Sequence, residues 1–266
     1  MNRIVAQNKT SWNAIADSFF GETALPNYGC LFPTEDELHL FPDLADKKVL
    51  DVGCGSGHSL KWCGENGAAE LWGLDISEQQ LKNAGRYLTE SGYKSRLFCS
   101  PMEENPTELL PKEYFDVVYS IYAIGWTVDL QITFNLISSY LKKDGTFIVS
   151  WDHPFMHCIE THVDKLVFSG NYYEEQPFTF TRTAAGKGKG RNPIEHADDG
   201  YPLTLYNRRL SDYINALAKA GFVVERVVEE TDKETLSRDY SFTSQYYAPC
   251  KAKKFPLSIA IKARKL

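Results

Sequence analysis

Long apolar runs are missing from this 266-residue chain. None approaches the ~18 residues a membrane-spanning helix needs, so no membrane partner is expected. The first ten residues, Met1 to Thr10, are polar and lack the apolar core of a secretory signal, so a cytoplasmic protein is expected. C-x-x-C pairs are absent as well. The six cysteines, Cys30, Cys54, Cys63, Cys99, Cys158 and Cys250, are scattered. That argues for free thiols and against a zinc centre, so no metal is expected. There is no excess of basic charge: 29 Lys and Arg face 35 Asp and Glu, giving a net charge of −6 and a pI of about 5.6. Nucleic-acid binding ordinarily needs a basic face, so no nucleic-acid partner is expected. The one basic stretch, Lys187, Lys189 and Arg191, lies among glycines and reads as a mobile loop. Internal repeats are lacking too.

What is present fits one α/β core carrying an insertion. Thr10 to Phe20 reads as a helix with Trp12, Ile15, Ala16 and Phe19 on one face. Thr34 to Leu40 reads as a short helix, with Thr34 and Glu37 as its capping box. From Lys47 the pattern alternates. Strands are expected at Lys48 to Val52, Leu71 to Leu74, Arg96 to Cys99, Phe115 to Ile121 and Thr146 to Trp151. Helices are expected at Ser59 to Asn66, at Ser77 to Ser91 before Gly92, and at Asp129 to Leu141 before a Lys-Asp-Gly turn. Short buried strands alternating with helices call for a mostly parallel, Rossmann-like sheet with helices on both faces. After the fifth strand the rhythm breaks. Two β-like runs, Lys165 to Tyr173 and Pro177 to Thr183, mark a β-rich insertion over about 154–200. A helix at Ser211 to Ala220 and strands at Phe222 to Glu230 and Leu257 to Lys262 follow. Residues 1–44 read as an N-terminal helical cap segment, and 45–266 as one domain.

The run V-L-D-V-G-C-G-S-G, Val49 to Gly57, delivers a strand into a glycine-rich turn just ahead of a helix. Glycines let backbone approach a ligand closely, and the helix start adds free N–H groups. A dinucleotide fingerprint would read G-x-G-x-x-G, but here the spacing is G-x-G-x-G and His58 fills the sixth position. About 20 residues past the turn, Asp75 ends the second strand. A carboxylate there can accept both hydroxyls of a ribose, or it can begin the next helix as a cap; the pairing with the glycine turn favours the ribose.

These motifs resemble those of class I S-adenosylmethionine-dependent methyltransferases of small-molecule type, over roughly residues 45–265. The resemblance implies a seven-stranded sheet with an antiparallel last strand. It places Asp51, Gly53 and Gly55 at the methionine end of S-adenosyl-L-methionine, Asp75 on the ribose and Ile76 against the adenine. It widens the cofactor set to Cys54, Gly57, Gln80, Ser120 and Ile121. Within C-S-P-M-E, Pro101 stands where the family often has Asp, leaving the Met102 backbone N–H or the Glu103 side chain for the adenine. Within S-I-Y-A-I-G-W-T-V-D, Gly125 stands where many members have His. The implied activity is methyl transfer to O, N or C of a small molecule, leaving S-adenosyl-L-homocysteine. Transfer to RNA or protein, or cofactor binding without turnover, remain the alternatives.

Methyl transfer is an in-line displacement, accelerated mostly by positioning; a general base is needed only when the acceptor must lose a proton. The candidates follow the fifth strand. His153 is either a base or a loop-shaping hydrogen-bonder, and Asp152 either orients a partner or is structural. Tyr28, Tyr122, Trp126, Phe155, Tyr172, Tyr173 and Tyr206 are candidate walls of an acceptor pocket. Arg208 and Arg209 either face that pocket or begin a solvated helix. The remaining histidines, His157 and His58 among them, read as surface or local hydrogen-bonding residues.

Overall fold

The fold is a computed structural model that describes residues 2–105, 110–162, 164–182, 200–243 and 245–266. The Lys187, Lys189 and Arg191 stretch lies outside the described residues. In chain order the elements are α1 (Arg3–Ile15), α2 (Glu35–Leu38), β1 (Lys48–Val52), α3 (His58–Glu65), β2 (Glu70–Asp75), α4 (Glu78–Glu90) and β3 (Ser95–Cys99). They continue as β4 (Phe115–Ile121), α5 (Leu130–Tyr140), β5 (Leu141–Asp152), β6 (Ile159–Thr161), β7 (Leu166–Phe168), β8 (Pro177–Arg182) and β9 (Tyr201–Tyr206). Last come α6 (Leu210–Lys219), β10 (Phe222–Val228), α7 (Lys233–Ser237), α8 (Pro249–Ala252) and β11 (Ser258–Lys265). Single 3-10 turns at Ala16–Phe19, Ile124–Trp126 and Pro154–Cys158 complete the set.

Seven strands form the main sheet in the order β10-β11-β5-β4-β1-β2-β3. β11 runs antiparallel to β5 and β10, and the other neighbouring pairs are parallel. From β1 the chain steps outward to β2 and β3, then returns to β4 and builds the other way. The order therefore reverses between β1 and β4, where a crevice opens beyond the carboxyl ends of the strands. Side chains alternate between two cores, one on each face of the sheet. Val49, Val117 and Ile148 join Leu60 and Cys63 of α3 on one face. Leu50, Val118, Phe147 and Val149 join Phe134 of α5 and Leu217 of α6 on the other. This is the period-2 pattern that buries both faces of a parallel sheet.

Helix ends follow local chemistry. Ser77 caps α4 by accepting from Gln80 N at 3.1 Å, and Asp129 caps α5 by accepting from Ile132 N at 2.9 Å. The Lys-Asp-Gly turn is not a separate break. It is a bulge within β5, where the register slips between Phe115↔Leu141 and Val117↔Thr146. The first helix starts at Arg3, not Thr10, because Asn2 accepts from Ile4 N at 2.9 Å and caps it.

The insertion is longer than its composition suggests. β8 pairs antiparallel with β9 from Pro177↔Tyr206 to Arg182↔Tyr201, so the insertion extends to about residue 206. α1 binds this hairpin through an amide that behaves like a strand edge. Asn8 Nδ2 donates to Thr204 O at 2.9 Å, and Thr204 N donates to Asn8 Oδ1 at 2.8 Å. Its other side holds α4: Asn13 Nδ2 donates to Glu78 Oε2 at 2.8 Å, Ser77 Oγ donates to Asn13 Oδ1 at 2.8 Å, and Lys9 pairs with Glu78 at 2.5 Å. α1 thus bridges the sheet and the insertion above the crevice.

Candidate active site

Asp51, Asp75, Ile121 and Asp152 each lie at or next to the carboxyl end of a strand of the main sheet. All four line one cavity of about 460 Å³, roofed by α1 and the β8–β9 hairpin. Neighbouring strands lie ~4.8 Å apart, so the end of β5 is about 10 Å from the end of β1. The cavity accordingly has two halves, one over β1 and β2 and one over β4 and β5.

The first half is built on the glycine turn. Gly53 N and Cys54 N donate to Leu74 O at 2.7 and 3.0 Å, which ties the turn to β2. Gly53 has φ +85°, and a Cβ on it would overlap that of Ala123. Gly55 has φ +49° and no atom within 4 Å of where its Cβ would be, so its backbone faces open space. Asp75 Oδ2 accepts from Gly55 N at 2.9 Å and Oδ1 from Ser77 N at 2.8 Å. One carboxylate therefore both shapes the turn and starts the next helix, and each oxygen keeps a lone pair. Asp51 is 2% exposed, and its Oδ1 has no partner among the described residues; the same holds for Gln80 Oε1. Burial pushes Asp51 well above the usual carboxylate range, and the charge of Asp75 adds to this. Burial also raises Asp75, against the pull of its backbone donors. Cys54, Ile76, Met102 and Glu103 also line this half. Glu103 Oε1 is occupied by Thr127 Oγ1 at 2.6 Å and Val128 N at 2.5 Å, which fixes the loop after β4.

The second half is aromatic. Rings run in contact from Phe19 to Trp12 (5.0 Å), Trp126 (5.1 Å) and Trp151 (5.8 Å), and Tyr122 adjoins Trp151 at 5.4 Å. The Trp151 indole occupies the space above Gly125, where any Cβ would collide with it. That is why this position holds glycine. Tyr122 hydroxyl donates to Asp152 Oδ1 at 2.5 Å, and Tyr247 hydroxyl to Oδ1 and Oδ2 at 3.0 and 3.1 Å. Burial, with the Asp152 charge beside them, drives both phenols well above their ordinary pKa, so they remain donors.

Eight expected site residues lie elsewhere. Tyr28 is fully buried and donates to Glu35 Oε2 at 2.5 Å, so it is core. His153 points away from the cavity, with Nε2 on Glu229 at 2.7 Å and Nδ1 accepting from Phe155 N at 3.1 Å. Both nitrogens are engaged in shaping the loop, the second of the two readings open for it. Phe155 packs on Phe168, Tyr172 and Phe255 outside the cavity. Tyr206 lies under Arg208, whose guanidinium donates to Gly125 O at 3.3 Å and to Thr127 O. Ser120 Oγ donates to Val52 O at 2.7 Å inside the sheet. Gly57 meets α4: a Cβ there would come within 3.0 Å of Ala84 Cβ. Tyr172 and Tyr173 are also off the cavity: Tyr172 hydroxyl accepts from Leu210 N at 3.2 Å, and Tyr173 is exposed. Arg209 caps α6 through Asp212.

The sequence reading missed His157, Tyr246 and Tyr247, which line the second half. His157 sits in the 3-10 turn after β5, with Nδ1 2.9 Å from Tyr246 hydroxyl. The tyrosines arrive from a segment 90 residues downstream that has no periodic pattern, so only folding reveals their proximity. None of the six cysteines forms a disulfide among the described residues. Among the described residues no three His, Cys, Asp or Glu side chains are grouped to hold a metal, and no helix is long and apolar enough to cross a membrane.

Comparison with known proteins agrees with this geometry. Residues 50–149 match the family described as "Methyltransferase domain". A Haemophilus influenzae protein of uncharacterised function is 30% identical over 203 residues, 72% of this chain and 73% of that one. The ubiquinone biosynthesis O-methyltransferase of Bradyrhizobium diazoefficiens is 28% identical over 107 residues, 40% of each chain, so the match spans less than half of that enzyme. The crystal structure of an S-adenosylmethionine-dependent methyltransferase from Mesorhizobium loti superposes with a TM-score of 0.65 at 23% identity, covering 86% of this chain and 95% of that one. A glycine turn at the switch point, a carboxylate ending β2 and an antiparallel last strand thus occur in a chain that belongs to the class I S-adenosylmethionine-dependent methyltransferases, with S-adenosyl-L-methionine as cofactor.

Proposed function

We propose that this methyltransferase acts on a small molecule seated in the aromatic half of its cavity. The observation that carries this reading is the continuity of one roofed cavity from the glycine turn to Trp126, Trp151 and Phe180. Its volume of about 460 Å³ lies within the range of small-molecule sites, ~300–1,000 Å³. α1 and the β8–β9 hairpin, joined through Asn8 and Thr204, cover this cavity, which disfavours a polymeric acceptor. Residues 45–266 then form the catalytic unit, residues 1–44 cap it, and the insertion is the lid over the acceptor. A cytoplasmic location fits this reading.

The residues of the first half fit the cofactor. When bound, it supplies an electrophilic methyl group on a sulfonium. Asp51 Oδ1 and Gln80 Oε1 are buried acceptors awaiting donors, which suits a cationic ligand bearing ammonium and hydroxyl groups. Gly55 leaves room for that ligand against the backbone. Asp75 has lone pairs to spare for two ribose hydroxyls, while Ile76 and Met102 offer apolar surface to a base. The protein's part in the reaction is to hold the acceptor in line and keep water out. Trp126 and Trp151 form the wall that orients it, and α1 with the hairpin forms the cover.

Calorimetry tests the assignment. S-adenosylhomocysteine is expected to bind and NADH is expected not to compete. Asp75→Ala weakens binding by about 1–3 kcal/mol, the loss of a charge-assisted hydrogen-bonding partner. Unchanged affinity in that variant would remove Asp75 from the site.

A further inference from the structure

Within the acceptor half, His157 is the imidazole that lines the wall among the described residues; His153 is turned outward onto Glu229. Three features make it a built group. Its Nδ1 is paired with Tyr246 hydroxyl at 2.9 Å, which sets the ring orientation and leaves Nε2 as the nitrogen without a described partner. Its ring lies against Phe178, 5.4 Å between centroids, which continues into Phe180. The two chain segments that carry the pair are tied from behind by Lys251, 1% exposed, whose Nζ donates to Met156 O at 3.2 Å and Tyr246 O at 3.5 Å.

Resting on the function proposed above, we propose that His157 is the general base for methyl transfer to a hydroxyl oxygen of a flat, aromatic or conjugated acceptor. The surroundings select that acceptor class. A carboxylate or thiolate is already a competent nucleophile and needs no base. An ammonium group would need a counter-ion. Asp152 is the carboxylate on this side, and both its oxygens are taken by Tyr122 and Tyr247. The cation beside His157, Lys251 of α8, opposes an ammonium and favours a developing oxyanion. Trp126, Trp151, Phe178 and Phe180 make the walls flat and aromatic.

The step balances. The acceptor oxygen forms a bond to the methyl carbon, and the carbon–sulfur bonding pair stays on sulfur. The hydroxyl proton passes to His157 Nε2, so one positive charge leaves the sulfur and one appears on the imidazole. Tyr246 is a positioning residue that accepts from Nδ1–H in this state. The groups facing His157 are Asp152 from β5, Tyr246 from the downstream segment and Lys251 from α8. Burial, the largest influence, and Lys251 lower its pKa, while Asp152 raises it. The ring is thereby neutral and able to take a proton at neutral pH.

The test uses 4-nitrophenol, whose colour reports its own ionisation, added to protein loaded with S-adenosylhomocysteine. Wild-type protein is expected to bind the dye and shift its ionisation equilibrium toward phenolate by about tenfold, one pKa unit. His157→Gln is expected to remove that shift with S-adenosylhomocysteine affinity unchanged, and Tyr246→Phe to reduce it. In wild-type protein labelled with 15N-histidine, dye binding is expected to move the His157 Nε2 resonance toward the protonated form. Absence of dye binding, an equal shift in His157→Gln, or an unmoved Nε2 resonance would each overturn the proposal. Failure to bind S-adenosylhomocysteine would instead count against the cofactor half, and the two failures are read separately.

Discussion

Asp51 and Asp75 lie at the carboxyl ends of neighbouring strands; burial first, and the charge of Asp75 second, push Asp51 upward. The sign of the consequence follows from linkage. A carboxylate with a raised folded pKa holds its proton more tightly in the native state than in the unfolded chain. Native stability from this group therefore falls as pH rises from the ordinary carboxylate value to the raised one. Above that window ionised Asp51 is a cost that a cationic ligand offsets. Asp51→Asn should accordingly melt higher than wild type at neutral pH without ligand. It should bind S-adenosylmethionine more weakly, and should lose the rise in affinity expected of wild type as pH rises through the raised Asp51 value. Thermal scans and titrations across that range check both. Equal melting temperatures together with equal pH profiles would mean that Asp51 is not the acceptor for the cation.

At the scale of elements, two glycines of one turn have different duties. Gly55 faces open cavity, whereas Gly57 lets α3 and α4 approach at Ala84. Gly57→Ala should cost about 1–3 kcal/mol through left-handed backbone strain and crowding, with ligand affinity nearly intact. Gly55→Ala should show the reverse balance, a smaller stability loss and a clear loss of S-adenosylhomocysteine affinity. A melting curve and a titration on each variant separate them. The seam between α1 and β9 is a second such test. Asn8→Leu removes both hydrogen bonds to Thr204 and leaves its backbone groups unpaired, so it should cost about 1–3 kcal/mol and speed S-adenosylhomocysteine release in stopped-flow measurements. The main-sheet strands were legible because each buries alternating residues in two cores; Phe115–Ile121 falls on its expected bounds and β1 likewise. β9 was not legible. Y-P-L-T-L-Y lies directly before a helix start, and its strand character comes from pairing with β8 across residues 183–199.

At the scale of the molecule, the strand order explains which parts of the site could be read in advance. The residues proposed for the cofactor half, such as Gly53, Gly55 and Asp75, sit within one β-α-β stretch, so spacing alone picks them out. Residues of the acceptor half come from α1, β4, β5, the insertion and the segment before α8. Their meeting is set by long-range packing that no local pattern encodes. His153 and His157 illustrate this. They are four residues apart in one turn, yet Glu229 holds the first outward while Tyr246 holds the second against the cavity. Net charge acts at this scale as well. The acidic total of −6 suits a cavity whose ligand is a cation.

The most direct measurement is a crystal structure of the protein with S-adenosylhomocysteine. The predicted result is density for the ribose on Asp75 and for the amino acid end at Asp51 and Gly55, with the sulfur turned toward the half that holds Tyr122, Trp126 and His157. Density for the adenosine among Trp126, Phe178 and Phe180, with the glycine turn untouched, would contradict the account.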